Sequence, residues 1–136
     1  MFEAAYNELP IITVGWSGQV DYLYAPYYDK KKDKTFIRPH FASVEYDINK
    51  IQKESVWNGV LEQDSGWSYA REMSFKNKLR EMRSNYGKYK NLAKLLEKHV
   101  NKEFSEEKLC SKFVDSIESC FNKDAHSQEN VEVMVL

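Results

Sequence analysis

Glycine and proline are scarce, five and three in 136 residues, which excludes collagen-like and low-complexity chains. Two cysteines, Cys110 and Cys120, are too few for a disulfide scaffold. They lie in a segment that reads as helix, at a spacing that sets them roughly 80° apart around the axis and about 15 Å along it, beyond disulfide reach. Two free thiols in a reducing compartment are therefore expected, with a cytoplasmic location. No run approaches the ~20 apolar residues of a membrane span, and the N-terminus lacks the basic-then-apolar order of a secretory signal, so no membrane span is expected. Neither sign of charge dominates: 20 Lys and Arg against 21 Asp and Glu leave a net charge of -1, so the chain as a whole is neither a polyanion binder nor an acidic tail. Also missing are a Gly-rich phosphate loop, a G-x-S-x-G elbow and an H-E-x-x-H pair. His40, His99 and His126 show no metal-ligand spacing with one another or with either cysteine, so no metal and no cofactor is expected.

What is present is enough apolar matter for one ordinary domain: 42% hydrophobic and 14% aromatic residues in a 16.1 kDa chain. Met1 to Tyr6 reads as helical without a capping residue in front, a helix that begins in its own middle, as if an upstream part were missing. After Pro10, the β-branched run Ile11-Ile12-Thr13-Val14 suits a strand buried on both faces of a parallel sheet. Gly15-Trp16-Ser17-Gly18 turns the chain, and residues 19–24 suit a short helix. Helix, strand, glycine-containing turn and helix in that order make an α/β signature.

Residues 24–35 mix tyrosines and prolines with a lysine cluster and read as an exposed loop whose lysines form a solvated tip. Alternation predicts a strand over 41–47 with Ala42, Val44, Tyr46 and Ile48 inward and Phe41, Ser43, Glu45 and Asp47 outward. Trp57 and Trp67 fall in an irregular stretch and are expected to pin it to the body of the domain. From Glu72 the period changes to that of helices, predicted over 72–85, 88–102 and 106–121, with the first break at Gly87. Met73, Leu79, Met82, Tyr86 and Tyr89 mark one inner face, and Leu92, Leu95, Leu96, His99, Val100 and Phe104 the next. Ser105 is placed to cap the third helix, whose inner face would be Leu109, Cys110, Phe113, Val114 and Ile117. Residues 1–121 form the expected domain. Residues 122–136 form an expected flexible tail, its last six apolar enough to dock.

Charge is unevenly spread, with a net +7 over residues 71–102 and -5 over 103–136. The basic stretch carries Lys76, Lys78, Arg80, Arg83, Lys88, Lys90, Lys94 and Lys98 around Tyr86 and Tyr89, which admits a polyanion or nucleic-acid binding module as an alternative function. Glu72, Glu81 and Glu97 interrupt that face, and nucleic acid is not the expected partner. A purely structural or interaction domain is a third possibility.

One segment carries a sharper signal. Residues 3–21, EAAYNELPIITVGWSGQVD, resemble the end of the nucleotide-sugar site in group 1 glycosyltransferases of the GT-B fold, which write it roughly as E-A-M-A-x-G-x-P-V-I-A-T-x-x-G-G-x-x-E. Glu3 falls on the second glutamate of that family's E-x7-E motif, Gly18 on the second glycine of its pair and Asp21 on the closing acid. Two positions depart from the pattern. Glu8 stands where the family has glycine at a helix end, at a cost of roughly 1 kcal/mol or a shifted cap, and Ser17 replaces the first glycine of the pair. Further along, Phe104-Ser105-Glu106-Glu107-Lys108 is similar to the F-S-W-E-K phrase that opens the family's last helix.

The resemblance implies an α/β fold, the C-terminal part of a GT-B Rossmann-like nucleotide-sugar-binding domain, with few strands and a mostly helical C-terminal half. It implies a glycosyltransferase fragment that, in the full enzyme, helps bind a nucleotide-diphosphate sugar for metal-free, retaining transfer to an acceptor. Glu3 would hold the donor ribose, and Ser17 and Gly18 would line the donor site; no catalytic residue is expected within the chain. The first glutamate of the motif, the diphosphate-binding basic residues and an N-terminal acceptor-binding domain would lie outside it, so the chain alone is expected to be inactive.

Overall fold

The computed structural model describes residues 1–128, which are mixed α/β, about half helix and a quarter strand. The elements run α1 (Phe2–Tyr6), β1 (Ile12–Val14), a 3-10 turn (Ser17–Gln19), α2 (Val20–Leu23), β2 (Tyr24–Asp29), β3 (Lys34–Pro39), β4 (Ala42–Val44) and β5 (Tyr46–Lys50). A 3-10 turn (Lys53–Ser55), β6 (Gly66–Ala70), α3 (Glu72–Ser84), α4 (Tyr86–Glu103) and α5 (Glu106–Gln128) complete the order. The chain divides into two compact units, Met1–Asn101 and Lys102–Leu136. No helix among the described residues is long and apolar enough to cross a membrane.

Three two-stranded sheets organise the first unit. β1 pairs in parallel with β4, Ile12 opposite Ala42 and Val14 opposite Val44. Both strands therefore point their carboxyl ends to the same edge, where residues 15–18 and Glu45 follow them. α3 packs on β4 and β1. α4 lays a stripe of Tyr89, Ala93, Leu96 and Val100 into the core, at most 4% exposed, and Ala5, Ile11, Leu23, Ala25, Phe41, Ala42 and Val44 are the other principal buried residues. Burying each large apolar side chain is worth about 1.5–3 kcal/mol, so this stripe anchors the unit.

Several expectations change once the chain is folded. Residues 24–35 are no open loop: β2 and β3 form an antiparallel hairpin from Tyr24 opposite Pro39 to Asp29 opposite Lys34. The Tyr and Phe residues supply β-propensity, and Pro26 is tolerated because a two-stranded ribbon has only edges. The lysine cluster does form the exposed tip, where Asp29 Oδ1 accepts from the Lys31 N–H at 3.0 Å and Asp33 takes φ 48°.

The strand predicted over 41–47 is two strands. β4 ends at Val44 and β5 turns away to pair with β6, Tyr46 opposite Ala70. Glu45 sits at the switch, its N–H donating to Ser74 Oγ at 3.0 Å and its carbonyl accepting from Arg71 N at 2.8 Å. Alternation is kept only locally: Ala42 and Val44 are buried, but Ile48 is exposed, and Phe41 is buried because the Tyr24 ring packs edge-on against it at 5.6 Å. Trp57 and Trp67 do not pin their loop, being 67% and 44% exposed.

The three long helices start within two residues of the predicted positions. The first break comes at Asn85, φ -122° and ψ 41°, with Gly87 inside α4. α3 buries no residue: Ser74, Lys78, Glu81 and Met82 are half-buried, while Met73, Phe75 and Leu79 face outward. Its hydroxyl and charged groups find partners on the inner side, whereas the thin β1/β4 pair leaves no slot for its larger apolar groups. In the second unit Ser105 caps α5 as expected, its Oγ accepting from Lys108 N at 3.4 Å. The expected inner face of α5 is exposed, with Leu109, Phe113, Val114 and Ile117 between 41% and 67%, because the described residues of its unit offer no second element to bury them against. Cys110 and Cys120 are free and exposed. The helix runs to Gln128, past the predicted end at 121; the rest of the predicted tail, including its apolar end, lies outside the described residues.

Candidate functional site

Residues 3–21 form α1, its C-cap, β1, the turn and the start of α2. At the end of α1, Leu9 N–H donates to Ala4 O at 2.9 Å, a six-to-one bond that requires a left-handed residue between them. Glu8 is that residue, at φ 54°. The cap has not shifted to avoid the strain. Instead Lys90 of α4 reaches back, Nζ donating to Glu8 O at 2.9 Å and lying 3.6 Å from Glu8 Oε2.

From there Pro10 and the buried Ile11 carry the chain into β1, which emerges at Gly15. A Cβ at Gly15 would lie 2.8 Å from Tyr24 Oη, so the ring lies directly over the backbone. Tyr46 Oη donates to Gly15 O at 3.1 Å, and Gln19 Nε2 donates to Val14 O at 3.0 Å, closing the turn on the strand end. Within it Ser17 adopts φ 65°. Ser17 and Gly18 are exposed, with nothing within 4 Å of a Cβ built at Gly18.

Glu3 is exposed on α1, its side chain 88% accessible and 3.6 Å from the Met1 ammonium. Its own backbone N–H, and next the ammonium, hold its carboxyl below the usual range. Phe2 packs edge-on against Tyr22 of α2 at 5.3 Å. Burial, and then the charge of Glu3, raise the Tyr22 phenol. The structure thus sets Glu3 beside α2, the helix into which Ser17 and Gly18 lead. No hydrogen bond joins Glu3 to Ser17 or Gly18 among the described residues. Asp21 is exposed in the first turn of α2.

Half of the basic residues of that stretch are held in ion pairs. Lys76 pairs with Glu72, Lys78 and Lys88 with Glu81 at 2.8 and 3.0 Å, and Lys90 with Glu8. Glu81 also accepts from Tyr89 Oη at 2.7 Å; the hydrogen bonds from Lys78, Tyr89 and Lys88 hold its pKa at about 2. No group of three or more His, Cys, Asp or Glu that could hold a metal ion occurs among the described residues.

Two features went unread in the sequence. At the carboxyl end of β4, Arg71 forks onto Asp47 at 2.9 and 2.6 Å and reaches Glu45 at 3.5 Å, fixing the switch between sheets. The alternating acids at Glu45 and Asp47 were the available signal, but their cation lies 24 residues beyond Asp47. At the opposite edge, His40 is buried at 2% exposure just before β4. A lone histidine carries no periodic signal.

Comparison with protein-family models, with curated proteins and with solved structures yields no match to this chain.

Proposed function

We propose that residues 1–23 are the ribose-facing part of a nucleotide-sugar-binding domain, in a glycosyltransferase that moves a sugar from a nucleotide-diphosphate donor to an acceptor. The observation that carries this reading is the backbone at Glu8 and Ser17. These are the two positions where the sequence departs from the glycines of the resembled family, and both hold the left-handed conformation that favours glycine. The local path of the chain is the one those glycines serve, although the side chains differ. The parallel β1/β4 pair supports the reading further, since open α/β sheets bind ligands beyond the carboxyl ends of their strands, where residues 15–18 lie.

In this reading the Glu3 carboxylate accepts hydrogen bonds from the two vicinal ribose hydroxyls. Ser17 and Gly18 leave open space for the donor at the turn. The diphosphate-binding groups and the acceptor domain come from other parts of the enzyme. The polyanion alternative gains no support from the ion pairs that occupy Lys76, Lys78, Lys88 and Lys90.

The test is a titration of the 15N-labelled chain with UDP-glucose, GDP-mannose and ADP-glucose. Weak binding is expected, with amide shifts confined to Glu3, residues 15–18 and the start of α2. Glu3→Gln should weaken it by about tenfold or more, the loss of a charge-assisted acceptor, while Glu8→Gln should change it little. An unaltered dissociation constant for Glu3→Gln, or no shift at the turn with any donor, would overturn the assignment.

A further inference from the structure

We infer that the cavity between the β2/β3 hairpin and the first half of α4 is a binding site for a small organic anion, an oxyanion head on an apolar body. Its volume is about 420 Å³, within the ~300–1,000 Å³ of small-molecule sites. It opens at the amino end of β4, the edge of the parallel pair opposite the turn at residues 15–18, and does not depend on the nucleotide-sugar reading.

The lining is one-sided in charge. Arg38 and Lys88 contribute two cations, and no carboxylate among the described residues lines the cavity. Lys88 shares its charge with Glu81, whereas Arg38 enters no ion pair among the described residues. Its guanidinium instead lies over the rings of Tyr27 at 5.1 Å and Phe36 at 5.4 Å. Stacking of that kind fixes the plane of the fork and leaves its N–H edges available, the arrangement suited to a carboxylate, phosphate or sulfonate. Across from it Leu92 and Leu95, one turn apart on α4, offer an apolar wall, and Leu95 is 44% exposed.

His40 lines the same cavity as a buried ring, 2% exposed. Its Nδ1 lies 2.9 Å from Arg38 O, which fixes the tautomer with the proton on Nδ1, so Nε2 is an acceptor. That Nε2 is out of reach of solvent and has no hydrogen-bond partner among the described residues. Burial pushes the imidazole pKa down and keeps the ring neutral, so recognition of the anion falls to Arg38 and Lys88.

The probe is 8-anilinonaphthalene-1-sulfonate, whose fluorescence reports an anion in an apolar site, titrated into the full chain. One dye per chain is expected, displaced by phenyl phosphate or phenylacetate; whichever competes better identifies the head group. Arg38→Gln and Leu95→Glu, both at exposed side chains, should each weaken the dye by about tenfold. Phe113→Ser, on the exposed stripe of α5, should leave it unchanged. Lys88→Gln is a second removal of charge should Arg38→Gln alter the circular dichroism. Affinity unmoved by Arg38→Gln and Leu95→Glu, loss of the dye in Phe113→Ser, or displacement by neutral benzyl alcohol as effective as by phenyl phosphate would each overturn the proposal.

Discussion

Replacing Ser17 by glycine should stabilise the first unit, and the size of the effect can be worked from its backbone. A residue with a Cβ pays about 1–2 kcal/mol in the left-handed region, and Ser17 sits there at φ 65°. Glycine removes that strain but loses about 0.5–1 kcal/mol more backbone entropy on folding, so the net gain is about 0.5–1 kcal/mol. Ser17 is exposed and its hydroxyl makes no hydrogen bond among the described residues, so little else changes. At Glu8, φ 54°, the same relief is offset by loss of the Oε2 to Lys90 pair, which at 3.6 Å between partly exposed groups contributes about 0.2–1 kcal/mol. Glu8→Gly should therefore stabilise less than Ser17→Gly, while Ser17→Val, β-branched at positive φ, should destabilise by a further ~1 kcal/mol. All three tryptophans lie in the first unit, so their fluorescence follows the melting of that unit alone. For a unit of this size the Ser17→Gly gain corresponds to a Tm rise of about 2–8 °C. A fall in Tm for Ser17→Gly, or a neutral Ser17→Val, would refute the reasoning and with it the equivalence of this turn to a glycine pair.

Tyr89→Phe removes the 2.7 Å bond to Glu81 and should cost about 1 kcal/mol, below the usual worth of a bond to a carboxylate because Glu81 is 32% exposed and keeps its two lysines. Glu81 ionises at about 2 when folded against an ordinary 4.5, so its contribution is complete above pH 4.5 and lost as pH falls through 2; Glu81→Gln should flatten that acid limb in urea midpoints. Tyr89 has the opposite sign: burial, and then Glu81, push its phenol to about 12, so the neutral form stabilises fully below pH 10 and progressively less up to 12. That alkaline limb should be absent from Tyr89→Phe, and its persistence would show that another group titrates. Leu96→Ala, at a site with 0% exposure, should cost about 2–5 kcal/mol in urea unfolding, well above Leu95→Ala at 44%, and equal losses would mean that α4 is rotated in solution.

Local chemistry alone determined the long helices, because the recurrence of apolar groups every three to four residues, the serine cap at Ser105 and the acids after it act within one or two turns. It also located β1 and the turn after it, where β-branched residues and glycines constrain the backbone directly. The strain at Glu8 was expected only from the resemblance, which has glycine at that helix end. Tertiary structure decided whatever depends on a distant partner. Ile37 and Phe36 make a strand only because Pro26 and Tyr27 lie opposite them, and the 41–47 strand divides at Glu45 because Arg71 and Ser74 draw that residue away from β1. Which face of a helix is buried is likewise a property of its neighbours: α4 finds a core and buries Leu96, α3 meets two short strands and turns Phe75 and Leu79 outward, and α5 has no neighbour among the described residues of its unit to cover Phe113. The cavity at His40 is the extreme case, since its walls come from segments separated by about fifty residues, and nothing in either segment alone specifies the other.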